Sequence, residues 1–122
     1  MARIWVTTGW CVAALLPILA GAVSTSRQEL VDALHSTPNV DRGAELFDTC
    51  AACHGTSGSG TRDGAVPRLA GQHYDYLVRQ MHDAIEERRP NFSAPHVRLL
   101  ARLQGDDMAA VADYLSRVVD PK

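Results

Sequence analysis

Two cysteines followed by a histidine in the middle of the chain constrain the fold more than any other feature. They occur as Cys50-Ala51-Ala52-Cys53-His54, a C-x-x-C-H pattern. Cysteines three residues apart on a helical turn project to the same side, so both thiols can add to neighbouring vinyl groups of one porphyrin. The next residue then directs its imidazole at the iron. The pattern predicts one covalently bound haem c, with Cys50 and Cys53 as thioether attachment points and His54 as the proximal axial ligand.

Other chemistry for a C-x-x-C pair finds less support in this sequence. A thioredoxin-like redox site accompanies a βαβ pattern, which the chain lacks. A zinc site needs a second pair of ligands, and the one further cysteine is Cys11, near the N-terminus. A simple disulfide between Cys50 and Cys53 is the remaining alternative, and the histidine that directly follows the pair favours haem.

The first 22 residues have the features of a secretory signal peptide. Arg3 supplies a positive charge, residues 12–20 are apolar, and Ala20-Gly21-Ala22 fits a small-x-small cleavage site. We therefore expect cleavage after Ala22 and export to the periplasm. Residues 4–23 are also about long enough to span a bilayer, so a retained membrane anchor is the alternative.

Charge and length limit the classes of partner and fold. The chain has 122 residues, enough for one compact domain. Its 12 basic and 14 acidic residues are nearly balanced, which gives no indication of a nucleic-acid partner. Only seven residues are aromatic (two Trp, three Tyr and two Phe), so a bulky apolar cofactor would help to fill the core.

Apolar residues recur at helical spacing after residue 22, and no segment alternates with a period of two. The spacing predicts two short helical segments, at residues 28–35 and 96–103. It also predicts three longer helices, at residues 41–50, 72–87 and 107–118. Asp41 is expected to cap the first of the longer helices, and Pro121 to end the last. The fold class is therefore all-α, with an N-terminal extension over residues 23–37 and a haem domain over residues 38–122.

Several motifs around the cysteine pair carry a resemblance to a known family. They are GAELF at 43–47, CHG at 53–55, VPRLAGQ at 66–72, YL at 76–77 with Gln80, and DMAAVADYL at 107–115. Together they resemble the class I c-type cytochromes, in particular the cytochrome c4/c553-like branch of exported bacterial proteins. The resemblance covers residues 37–118 and implies a small fold in which the N- and C-terminal helices of the domain cross around one haem.

The resemblance also implies roles for individual residues. Gly43 and Phe47 would meet Tyr114 and Leu115 where the first and last helices of the domain cross.

Two further residues are expected to contact the haem site. The Pro67 carbonyl would accept a hydrogen bond from the free ring nitrogen of His54, fixing its orientation and raising its basicity. Leu69 would line the haem.

The chain departs from the family at the sixth iron ligand. That ligand is usually a methionine shortly before the apolar turn that leads into the last helix, but no methionine lies between Met81 and Met108. His96 occupies about that position and is the expected distal ligand. The alternatives are Met108, the third-helix residues Met81, His73 and His82, or an open or water-bound iron. Met81 is otherwise expected in the core, and His73 and His82 at the surface.

The resemblance implies electron transfer between redox partner proteins of unknown identity, and no enzymatic activity. Thioether ligation raises the haem potential relative to two imidazoles, so a His54/His96 pair predicts a lower potential than in methionine-ligated relatives. The glycine-rich residues 55–60 lack the Lys-Ser/Thr of a phosphate loop and follow no strand. Two alternatives are a module that binds or senses a small gas at an open sixth position, and an accessory subunit of a larger oxidoreductase. A membrane is a partner only if the N-terminal segment is retained.

Overall fold

The computed structural model describes residues 17–119, and their side chains from Thr25 onward. Within that range the chain forms five helices and no strand: α1 Pro17–His35, α2 Val40–His54, α3 Tyr74–Ile85, α4 Ala94–Leu100 and α5 Gly105–Arg117. The prediction of an all-α fold is confirmed. None of these helices is both long and apolar enough to cross a membrane. The predicted signal peptide at residues 1–22 lies outside the described residues, apart from the backbone of 17–22.

Helix α2 begins and ends at residues other than those expected. Its N-cap is Asn39, whose side-chain oxygen accepts a hydrogen bond from the Arg42 amide at 3.0 Å. The prediction that Asp41 caps the helix is therefore wrong. Asp41 lies in the first turn, where its negative charge interacts favourably with the positive end of the helix dipole. The helix continues through the haem motif to His54 because Gly55, at a φ of 78°, provides the C-cap.

The other helices differ from the prediction mainly at their ends. Helix α5 stops at Arg117, where Val118 adopts extended backbone, so it ends before Pro121, which lies outside the described residues. Helix α4 is shifted towards the N-terminus relative to the predicted segment and begins at Ala94, with Pro95 in its first turn. Proline is favoured there because its missing N–H has no acceptor in the first turn.

Helix α1 is much longer than the one or two turns expected, and its residues from Ser26 onward pack against α3 and α5. Ala33 is buried in the core, and its carbonyl accepts a hydrogen bond from the Tyr74 hydroxyl at 2.6 Å. Gly105, the first residue of α5, lies close to the backbone of Glu29. The N-terminal extension is therefore a packed part of the domain.

The expectation that His82 lies at the surface is wrong, because α1 covers it and leaves it 3% exposed. Its Nε2 donates to the Ser26 carbonyl at 3.0 Å, and its Nδ1 accepts from the Arg88 guanidinium at 2.8 Å. A carbonyl can only accept and a guanidinium can only donate, so these partners place the proton on Nε2. Both ring nitrogens are satisfied within the protein.

The crossing of α2 and α5 is the most extensive helix contact of the fold. A Cβ atom at Gly43 would collide with the Ala110 carbonyl and would lie 2.9 Å from the Tyr114 Cβ. One turn further along α2, the rings of Phe47 and Tyr114 have centroids 5.6 Å apart. Phe47 and Leu115 are each 2% exposed, so the residues expected at the crossing do form its buried centre.

Replacing Gly43 by alanine should therefore separate the two helices. A methyl group cannot be accommodated against a backbone carbonyl, so we expect Gly43→Ala to lower the free energy of unfolding by about 2–3 kcal/mol. The matched control is Gly105→Ala, whose new Cβ would meet its nearest neighbour at 3.6 Å, an ordinary contact. Guanidinium denaturation followed by circular dichroism measures both. Equal stability of the two variants would contradict the close crossing.

Candidate haem-binding site

The last turn of α2 carries the two cysteines and the histidine of the predicted haem motif. Cys50 is half-buried, Cys53 is exposed, and neither is in a disulfide. Burial raises the pKa of the Cys50 thiol, and the neighbouring Cys53 raises it further. The end of α2 therefore presents two free thiols three residues apart, which is the requirement for attachment to one porphyrin.

His54 is buried, and one of its ring nitrogens is held by the chain. Its Nδ1 donates a hydrogen bond to the Pro67 carbonyl at 2.9 Å, because that oxygen can only accept. The proton is thus on Nδ1, and the lone pair of Nε2 remains available for a metal. The structure brings Pro67 to the ring as the resemblance implied, and its role toward a bound haem stays a prediction.

The loop after α2 folds back so that the Pro67 carbonyl reaches His54. The Gly60 amide donates to the His54 carbonyl at 2.9 Å, and the Thr61 amide donates to the Val66 carbonyl at 2.9 Å. Gly60 has a φ of 71°, and a Cβ there would collide with the Val66 carbonyl and lie 2.7 Å from the carbonyl carbon of Pro67. Only glycine allows residue 60 to approach the backbone of Val66 and Pro67 so closely.

Leu69 follows in the same loop. Its amide donates to the Gly58 carbonyl at 2.7 Å, which fixes the backbone next to the site. Its side chain is half-buried and packs against the hydrophobic core.

Helix α4 brings His96 close to His54. The centroids of the two imidazole rings are 6.0 Å apart, with an angle of 47° between the ring planes. An imidazole–metal bond is about 2 Å long, so two imidazoles on opposite sides of one metal have ring centroids about 6 Å apart. Burial lowers the pKa of His96, and the neighbouring His54 lowers it further, so the neutral ligand form is favoured.

The other candidate ligands lie in different surroundings. Met108 is 3% exposed at the start of α5. It precedes by two residues Ala110, whose carbonyl meets Gly43 at the α2–α5 crossing. Gly43 is eleven residues before His54 on α2, which is about 16 Å at 1.5 Å per residue.

The third-helix candidates are engaged elsewhere or exposed. Met81 packs against the hydrophobic core, and His82 has both ring nitrogens bonded. His73 is exposed at the start of α3.

These residues fit a covalently attached haem. Two free thiols on one turn are joined by an imidazole whose free nitrogen is oriented, and a second imidazole lies at the separation that one metal requires. Cys50 and Leu69 are half-buried and pack against the hydrophobic core, so the site adjoins that core.

Comparison with known proteins agrees with this assignment. The family model for cytochrome c matches residues 40–118. The chain belongs to the cytochrome c family. Its cofactor is haem c, to which the Cys50 and Cys53 pair fits as the attachment motif. The bound haem supplies an iron that cycles between the ferrous and ferric states.

Three relatives illustrate the range of this similarity. Cytochrome c4 of Azotobacter vinelandii is 35% identical over 79 residues, 61% of this chain and 38% of the relative. The thiosulfate dehydrogenase electron acceptor of Stutzerimonas stutzeri is 37% identical over 70 residues, 57% of this chain and 32% of the relative. Cytochrome c-553 of Nitratidesulfovibrio vulgaris is 30% identical over 77 residues, 62% of this chain and 76% of the relative. This chain thus spans less than two fifths of the length of the cytochrome c4 relative.

One residue of the site was not anticipated from the sequence. Phe92 stacks on His96, with ring centroids 4.9 Å apart and 29° between the planes. The sequence gives only a weak indication of this contact. Phe92 precedes α4, and Pro95 lies between it and His96, so helical spacing does not predict that the two rings meet.

Replacing Gly60 by alanine tests the loop that orients His54. The new Cβ would displace the Pro67 carbonyl, so we expect the haem-loaded protein to lose about 3 kcal/mol of stability. Its reduction potential should rise because His54 becomes a less basic ligand. Gly64→Ala is the matched control, because Gly64 has a similar φ of 76° but open space around its Cβ. It should lose only about 1–2 kcal/mol and keep its potential. A potential unchanged in Gly60→Ala would contradict this role of the loop.

Proposed function

We propose that this cytochrome c is an electron-transfer protein, not an enzyme, whose haem has two histidine axial ligands. Cys50 and Cys53 would hold the haem, with His54 as the proximal ligand and His96 as the distal ligand. The observation that supports this most directly is the 6.0 Å separation of the two imidazole rings. The usual methionine of the family is absent between Met81 and Met108, which supports His96 in that role.

The surrounding residues would tune the site toward a low potential. The Pro67 carbonyl retains the Nδ1 proton of His54, which makes the ring a stronger donor. Burial favours the neutral form of His96. Two imidazoles stabilise ferric iron more than one imidazole and a thioether do, so we expect a potential below that of methionine-ligated cytochromes. Leu69 would provide an apolar wall.

We also propose that the protein works after export, in the periplasm, with a protein redox partner. Residues 1–22 support export because they combine a positive charge, an apolar stretch and a small-x-small site. The relative named as an electron acceptor of thiosulfate dehydrogenase suggests the class of donor, an oxidoreductase that passes electrons to a small cytochrome. Contact with a membrane would require that the N-terminal segment be retained.

The near-infrared optical spectrum and low-temperature EPR of the oxidised protein test the ligand set. We expect a low-spin ferric signal without the sulfur-to-iron charge-transfer band. His96→Ala should convert most of the iron to a high-spin form, because it removes the distal imidazole. His73→Ala removes an exposed histidine and should leave both spectra unchanged.

Two results would contradict the assignment, and each favours a specific alternative. A sulfur-to-iron band that disappears in Met108→Leu would identify Met108 as the ligand and a high-potential carrier. A high-spin spectrum of the unmodified protein, shifted by carbon monoxide after reduction, would favour a gas-binding module.

A further inference from the structure

The imidazole of His96 stacks in a column of flat groups. The Phe92 ring packs on it at 4.9 Å between centroids. The guanidinium carbon of Arg89 lies 5.1 Å from the centroid of the same Phe92 ring, in cation–π contact. Arg89, Phe92 and His96, here called the distal column, are all half-buried. The column ends at His96, whose ring centroid lies 6.0 Å from that of His54.

The segment that carries the column is fixed to the end of α3. Arg88, next to Arg89, donates through Nε to Asp83 Oδ1 at 3.0 Å and through its terminal nitrogen to His82 Nδ1 at 2.8 Å. The Arg88 amide also donates to the Asp83 carbonyl at 2.9 Å. The two adjacent arginines thus make different contacts. Arg88 hydrogen-bonds to α3, and Arg89 makes the cation–π contact with Phe92.

Helix α4 by itself gives His96 limited support. It has seven residues, about two turns, and helices of that length are not stable without packing. Leu100 is the buried residue of α4, and it lies one turn beyond His96. The orientation of the imidazole therefore depends on what covers its ring.

We propose that Phe92 is a positioning residue for the distal ligand, held in place by Arg89. Its ring restricts rotation of the His96 imidazole and favours the orientation that faces His54. This inference rests on the proposed function, because it takes His96 as the sixth ligand. Without the Phe92 ring, His96 would spend more time away from the iron, and a competing ligand would find the sixth position open more often.

Cyanide binding to the oxidised holoprotein measures how often that position is open. The apparent affinity of a competing ligand scales with the open fraction, so loss of one aromatic stacking contact should raise it roughly three- to tenfold in Phe92→Leu. Phe92→Tyr keeps the ring and should restore the original affinity. Tyr76→Leu removes an exposed aromatic side chain from α3 and serves as the control.

A second readout reports the orientation of His96 directly. The g values of a low-spin ferric haem depend on the angle between its two axial imidazole planes. We expect them to shift in Phe92→Leu and to return in Phe92→Tyr. Arg89→Gln should shift them in the same direction by a smaller amount, whereas Arg27→Gln, at an exposed arginine of α1, should not.

The outcomes separate this inference from the proposed function. A two-histidine spectrum in the unmodified protein, with unchanged cyanide affinity and g values in Phe92→Leu, would overturn the inference alone. Methionine ligation in the unmodified protein would overturn both. If Phe92→Leu does not fold, Arg89→Gln gives the answer, and unchanged g values and cyanide affinity in that variant would overturn the inference.

Discussion

The hydrogen bond from His54 Nδ1 to the Pro67 carbonyl connects the end of α2 to the loop that follows it. The Pro67 carbonyl can reach the ring because Gly60 lets the backbone of residues 60 and 66–67 approach closely. The bond settles which ring nitrogen is protonated and which is free, so the chemistry of the site depends on backbone geometry thirteen residues away. The buried α2–α5 crossing holds the helix that carries this ring.

Much of the fold and part of the site follow from the sequence because they depend on local spacing. The haem motif must have its thiols three residues apart, and the helices have clear apolar periodicity. Features set by distant partners were missed. His82 is buried because Ser26, 56 residues away, covers it. The second half of α1 packs on α3 and α5, which local spacing does not indicate. Asn39 and Asp41 are both good caps, and backbone conformation decided between them.

The N-terminal extension adds a layer that lies outside the residues matched to the family, 40–118. The carbonyls of Ser26 and Ala33 accept hydrogen bonds from His82 and Tyr74 of α3. Glu29 and Ala33 lie against Gly105 at the start of α5. The same end of α3 holds Arg88, which adjoins the distal column. Helix α1, which precedes the residues matched to the family, thus packs against the helix that supports the proposed distal ligand.

Helix α2 is one continuous rod of 15 residues, with Gly43 at the crossing near one end and His54 at the other. A rigid helix moves as a unit, so separation of α2 from α5 at Gly43 would also displace the imidazole of His54. The surroundings of His54 should therefore respond to changes in the packing of α2. With His54 as the proposed iron ligand, opening of the α2–α5 contact near Gly43 should change the colour of the haem.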